Sequence, residues 1–307
     1  MSGALIGAAP CYWRICLRAP SAAPQFESDW GVLSPDLPGV SWILVVVFAA
    51  LVVVLVVRAI RKDRQEYPRF KRLRSTLKRQ AMFRKWLRES FLTFGGIAVV
   101  LLVLVWQFIP LLLADINGWD ALVAFHHWFA SAGWLSIALT VLVVLLAVVL
   151  PVLLLFVARR ESSSEVPALG DIQAMLPRTL GEVRLGALLS LNAGVVEELV
   201  FRLAVPALLY GAFGNALFAL IVSTLLFGAL HAYQGLLGVL GTAVIGAVLT
   251  GLYVISGTIL VPIIAHVLVD LRSFVFIPLI VLRVGEVERP VSTSSTTETG
   301  GFSRRAG

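Results

Sequence analysis

From Leu203 to Val269 the chain contains no Asp, Glu, Lys or Arg. An uncharged stretch that long, apolar almost throughout, exceeds several times over the roughly 20 residues a helix needs to cross a bilayer. Shorter uncharged stretches precede it, Leu37–Val57 and Leu185–Val196 among them. Composition agrees: 59% of the residues are hydrophobic and the mean hydropathy is +0.92, against about 45–50% apolar in an ordinary soluble chain. The expected fold class is therefore all-α, a polytopic helical membrane protein with about seven transmembrane helices. The spans are placed at Leu37–Val57 (starting near Val40), Ser90–Ala114, Trp134–Ala158 and Leu185–Tyr210. A fifth ends at Gly235 or Gly238, a sixth at Ser256–Gly257, and a seventh runs to about Leu282.

The net charge of +7 does not read as nucleic-acid binding, because one segment carries it. Thirteen of the 25 Lys and Arg residues fall between Arg58 and Arg88, against the acids Asp63 and Glu66. Basic loops stay on the cytoplasmic side, so the N-terminus is expected outside and the C-terminus inside, in a cell membrane of bacterial type. Arg159, Arg160 and Arg283 agree with that orientation. Within the loop, Phe70, Leu73, Leu77, Met82, Phe83, Trp86 and Leu87 recur at near-helical spacing. They suit either an amphipathic helix on anionic headgroups or a purely topogenic loop. The domain division is 1–36, an N-terminal tail; 37–180, three spans with the basic loop at 58–89; 181–283, the core; and 284–307, a Ser/Thr/Gly-rich tail. The first 36 residues hold no signal-peptide apolar core. Cys11 and Cys16 there read as incidental thiols. Ala243, Ala247 and Gly251 have the spacing of a small-residue packing face. His126 and His127, beside Trp119, Trp128 and Trp134, read as an interfacial aromatic region.

Against this background the stretch GVVEELVFR, Gly194–Arg202, stands out. Ionisable or imidazole side chains between Leu185 and Leu282 are confined to Glu197, Glu198, Arg202, His231, His266, Asp270 and Arg272. Each costs at least about 2.5–3.5 kcal/mol to insert, so such groups pair, line a wet cavity or do chemistry. Glu197 and Glu198 point about 100° apart on a helix. Glu198 and Arg202, at i and i+4, can pair, which leaves Glu197 to face a cavity. His266 and Asp270 share a face in the same way, as do Phe227 and His231. A carboxylate with a nearby imidazole can deprotonate a water, and further donors can hold an oxyanion. The same groups, Glu197, His231 and His266, also suit zinc. Either way the chemistry is peptide-bond hydrolysis without a Ser or Cys nucleophile.

These residues carry a resemblance. EELVFR (197–202) resembles the EExxxR motif of the CAAX protease and bacteriocin-processing (CPBP) family of intramembrane proteases. FGALH (227–231) is similar to its FxxxH motif, and HVLVD (266–270) to its HxxxN or HxxxD motif. The resemblance implies an intramembrane endopeptidase with Glu197 as general base and His231 binding the attacking water. It further implies His266 and Asp270 at the oxyanion, with Glu198, Arg202 and Phe227 supporting. It leaves open a zinc-dependent or a metal-free glutamate mechanism, and implies a membrane-associated peptide or protein as substrate. Two positions depart from the pattern: Leu203, where many members have Gly, and Asp270, where the CAAX-processing branch has Asn. An Asp donates only when protonated or through water; ionised, it would orient His266 or pair with Arg272. The rival readings are a non-catalytic membrane scaffold or immunity-type binding protein, and an ion-coupled transporter, which would require internal repeats.

Overall fold

A computed structural model describes residues 33–139, 142 and 173–284. The expected tails, Cys11 and Cys16, most of the span at Trp134–Ala158, and Arg159 and Arg160 lie outside the described residues. Those described form helices and no strand. In chain order they are α1 (Val40–Lys71), α2 (Thr76–Val105), α3 (Phe108–Asn117), α4 (Asp120–Ser131), α5 (Leu180–Glu198), α6 (Val205–Phe213), α7 (Ala216–Ala229), α8 (Gly235–Ser256) and α9 (Leu260–Val281). Among the described residues four helices, α1, α2, α8 with its preceding turn, and α9, are long and apolar enough to cross a membrane. The bent pair α3 and α4, 68° apart, makes a fifth if it counts as one span. The chain is an integral membrane protein.

Several expected boundaries shift. α1 runs 32 residues and α2 runs 30. At about 1.5 Å per residue each exceeds the roughly 30 Å hydrocarbon core. The basic segment is thus a helical hairpin rather than a loop. The expected second span is interrupted at Trp106–Gln107, between α2 and α3. α7 is only 14 residues long. The expected fourth span is α5 and α6 joined through one widened turn, Leu199–Ala204. Pro206 explains the turn: it lacks an N–H and crowds the carbonyl four residues back, that of Arg202, so the ladder must open there. The break expected at Gly235 or Gly238 falls at Gly235, where α8 begins. α8 ends at Gly257, whose φ of 64° only glycine adopts cheaply.

Caps set two helix starts. Thr179 Oγ1 accepts from Glu182 N at 3.3 Å to begin α5, and Asn215 Oδ1 accepts from Phe218 N at 2.8 Å to begin α7. The main core gathers Leu44, Leu51 and Leu55 of α1 with Leu101 and Val105 of α2, Phe108 and Leu112 of α3, and Val205, Leu208 and Leu209 of α6. α5 lies against α9, and the contact is tightest at Gly194. A Cβ there would stand 2.4 Å from Val267 Cγ2 and 3.1 Å from Val267 N. Only a residue without a side chain lets the two helices approach so closely.

Two packing expectations are corrected. Most of the apolar stripe of the basic hairpin packs inward and not onto headgroups: Phe70, Phe83 and Trp86 are buried with Tyr67 and Met175, against Leu185, Leu189, Tyr233 and Phe274, while Leu77 is exposed. The small-residue face of α8 is also displaced. Ala243 does pack against Gly228, but Ala247 is exposed and Gly251 has nothing within 4 Å of a Cβ position. Gly246 takes the buried place instead.

Candidate active site

The last turn of α5 points its two carboxylates in different directions. Glu198 is fully buried, and its Oε1 accepts from Arg202 Nη1 at 2.9 Å and from His266 Nδ1 at 2.6 Å. Arg202, also fully buried, donates through Nη2 to the Gly246 carbonyl at 3.1 Å and lies over the Phe227 ring at 4.4 Å. One knot thus ties α5, α8 and α9 together. Glu197 lines a cavity of about 700 Å³, within the size range of ligand pockets. It makes no hydrogen bond or ion pair among the described residues. The expected division of labour, Glu198 paired and Glu197 facing a cavity, is the arrangement found.

Phe227 organises the imidazoles. Its ring stands 5.0 Å from the His231 ring and 5.9 Å from the His266 ring, the latter edge-on at 90°. His231 follows the end of α7, and its Nδ1 meets the Phe227 carbonyl at 2.9 Å. A carbonyl only accepts, so Nδ1 carries the proton and Nε2 keeps a lone pair. His266, seven residues into α9, donates from Nδ1 to Glu198, and its Nε2 stands 3.9 Å from Asp270 Oδ2. His231, His266, Asp270 and Glu197 all line the same cavity. A turn that ends α7 early brings His231 to the level of His266, so the two imidazoles share Phe227. Asp270 makes no ion pair with Arg272 among the described residues.

The donor types here suit zinc, yet among the described residues no group of three His, Cys, Asp or Glu side chains is placed to hold a metal ion. Glu198, not Glu197, is the carboxylate on His266. The arrangement does not fit a zinc site built on Glu197, His231 and His266.

Sequence reasoning missed two features of the site. The first is the Glu198–His266 contact, which joins residues 68 apart. The second is the part of the wall that the basic hairpin contributes, including Arg58, Lys62 and Trp86. Nothing in the pattern of thirteen cations separates Arg58 and Lys62 from the others.

Residues 179–272 match the model of the type II CAAX prenyl endopeptidase Rce1-like family, a stretch that takes in all three motifs and every side chain of the Glu198 knot. That is the region, and the kind of family, to which the motifs point. No curated protein and no solved structure matches the chain.

Proposed function

We propose that this chain is an intramembrane endopeptidase that hydrolyses a peptide bond of a membrane-associated substrate with an activated water. The observation that carries the reading is the contrast between adjacent carboxylates: Glu198 is committed to Arg202 and His266, while Glu197 is unpartnered at the wall of a cavity shared with two imidazoles. A half-buried acid with no partner at a cavity wall is costly, and a water is the simplest group to complete it.

In this reading a water bridges Glu197 and the bare Nε2 of His231. Glu197 takes its proton as the oxygen attacks the scissile carbonyl, then passes that proton to the leaving amine nitrogen. His266, held by Glu198 through Nδ1, presents Nε2–H to the developing oxyanion. Asp270, at 3.9 Å, steadies the positive charge on that ring. Each step uses side chains alone, and none is routed through a metal. The matched family's name points to a prenylated C-terminal peptide, which is the first substrate to try. By the positive-inside rule the basic hairpin puts the part of the cavity it lines on the cytoplasmic side.

The test compares peptide termini in membranes of cells carrying the unsubstituted chain and cells carrying Glu197→Ala at matched levels. New termini that vanish with Glu197→Ala establish proteolysis and name the substrate. Identical termini in both would sink the reading and favour a non-catalytic membrane scaffold.

A further inference from the structure

The wall of the cavity nearest the basic hairpin holds two cations with no carboxylate partner among the described residues. Arg58 and Lys62 stand at i and i+4 on α1, so they share a face and repel each other. Arg58 Nη1 donates to Thr93 Oγ1 at 3.0 Å, and its guanidinium lies 5.4 Å from the Phe94 centroid. Lys62 Nζ lies 3.8 Å over the Tyr233 ring and 5.9 Å from that of Trp86. The nearby acids are spoken for. Glu66 accepts from Lys85 Nζ at 2.7 Å and from Trp86 Nε1 at 2.8 Å, and it meets Arg61 at 3.5 Å. Glu89 meets Lys85 at 3.6 Å.

Lys62 is close enough to act electrostatically on Glu197, His231 and Asp270. It is steadied by aromatic rings but not neutralised, which is how a protein holds a cation ready for an anionic ligand. Back along α1 from these cations the wall of the same cavity turns apolar, with Val53 and Val54 in it, and Ile245 of α8 adds to the apolar lining. A bound chain therefore meets both apolar surface and positive charge in the cavity that Glu197 lines.

We propose that Lys62, assisted by Arg58, binds a carboxylate of the substrate peptide and so fixes which bond is presented to Glu197. The inference rests on the proteolytic reading for its occupant. Two sources carry that chemistry, the free α-carboxylate of a chain end and an acidic side chain. Lys62 is a positioning residue, acting on the peptide's flank and not on the reacting atoms.

Three fluorescent S-farnesyl-cysteine peptides, three residues long beyond the cysteine, separate the possibilities: one with a free C-terminus, one amidated, and one amidated with Glu at the last position. Binding is measured to full-length Glu197→Gln protein in lipid nanodiscs, and cleavage with Glu197 intact. The free acid is expected to bind about tenfold more tightly than the amide, as charge-assisted pairing predicts. Recovery by the Glu-ended amide assigns the contact to any carboxylate; no recovery assigns it to the chain end. Lys62→Met, which keeps the stem on Tyr233, should erase the acid preference, Lys62→Arg should keep most of it, and Arg58→Gln should weaken it about threefold. Equal binding of acid and amide, no binding of any peptide, or a preference that survives Lys62→Met overturns the clamp. Cleavage without acid preference removes the clamp and leaves proteolysis standing. Acid preference in binding without cleavage does the reverse.

Discussion

Helix α5 carries a buried carboxylate near each end, and the two are treated differently. Near its start, Glu182 takes Arg79 Nε at 3.0 and 3.2 Å through its two oxygens, and the backbone N–H of Arg178 at 2.9 Å. Arg79 spends its remaining nitrogens on the carbonyls of Ala174 and Leu176, at 3.0 and 3.1 Å. Every charged atom of that pair is satisfied, and it joins the basic hairpin to the core. At the other end, among the described residues, Glu198 Oε2 and Arg202 Nε are buried without a partner, and Glu197 beside them makes no hydrogen bond or ion pair. A saturated pair holds helices together and has nothing left to give. An unsaturated one keeps bonding capacity next to Glu197, which lines the cavity.

That contrast can be broken from either end. The largest effect belongs to Glu197→Gln, which should lower cleavage by about a thousandfold, as loss of a general base does, with no change in the amount of folded protein. Single-turnover assays beside a detergent-resistant folding readout check it, and comparable loss of fold would collapse the distinction. Arg79→Met should do the opposite. It leaves Glu182 buried and alone, costing about 3–5 kcal/mol of stability, while the activity of each molecule that remains folded stays within about twofold. Adding Glu182→Leu should return most of that stability, measured by thermal unfolding in nanodiscs. Glu198→Gln is intermediate: His266 keeps a weaker acceptor, and the rate should fall about 10–100-fold, in the range seen when a supporting hydrogen-bond partner is removed, with modest destabilisation. A KM effect without a kcat effect would place Glu198 in substrate binding instead. The smallest effect is expected from prolonged chelation, which should leave cleavage within about twofold because among the described residues no three His, Cys, Asp or Glu side chains are placed to hold a metal ion. Loss of activity restored by zinc would overturn that.

How much of this was legible in the sequence follows from what the bilayer does to patterns. The i,i+4 pairing of Glu198 with Arg202 and the convergence of Glu197, His231, His266 and Asp270 were readable, because a rare ionisable group in an apolar run is a strong signal. The faces of the helices were not. In lipid both sides of a helix are apolar, so periodicity does not tell Leu44, fully buried, from Val46, 67% exposed. The hairpin's stripe of Phe70, Phe83 and Trp86 was readable as amphipathic, but what it packed against was not. The Arg79–Glu182 pair joins residues 103 apart, beyond the reach of any local rule. The interruption at Trp106–Gln107 did have a signal, Pro110, which lacks an N–H and crowds the Trp106 carbonyl four residues back, but in an apolar run that long sequence reasoning missed it.

The 32-residue length of α1 has one more consequence. Lys62 lies beyond the roughly 20 residues of that helix that a bilayer span needs, whereas Val53 and Val54 lie about two turns back within them. Membrane thickness therefore becomes a control knob. Longer acyl chains would raise the lipid level along the mast and wet less of the cavity, and shorter ones would lower it. The same protein, moved between thin and thick membranes, would expose a different share of its cavity with no change to its own atoms.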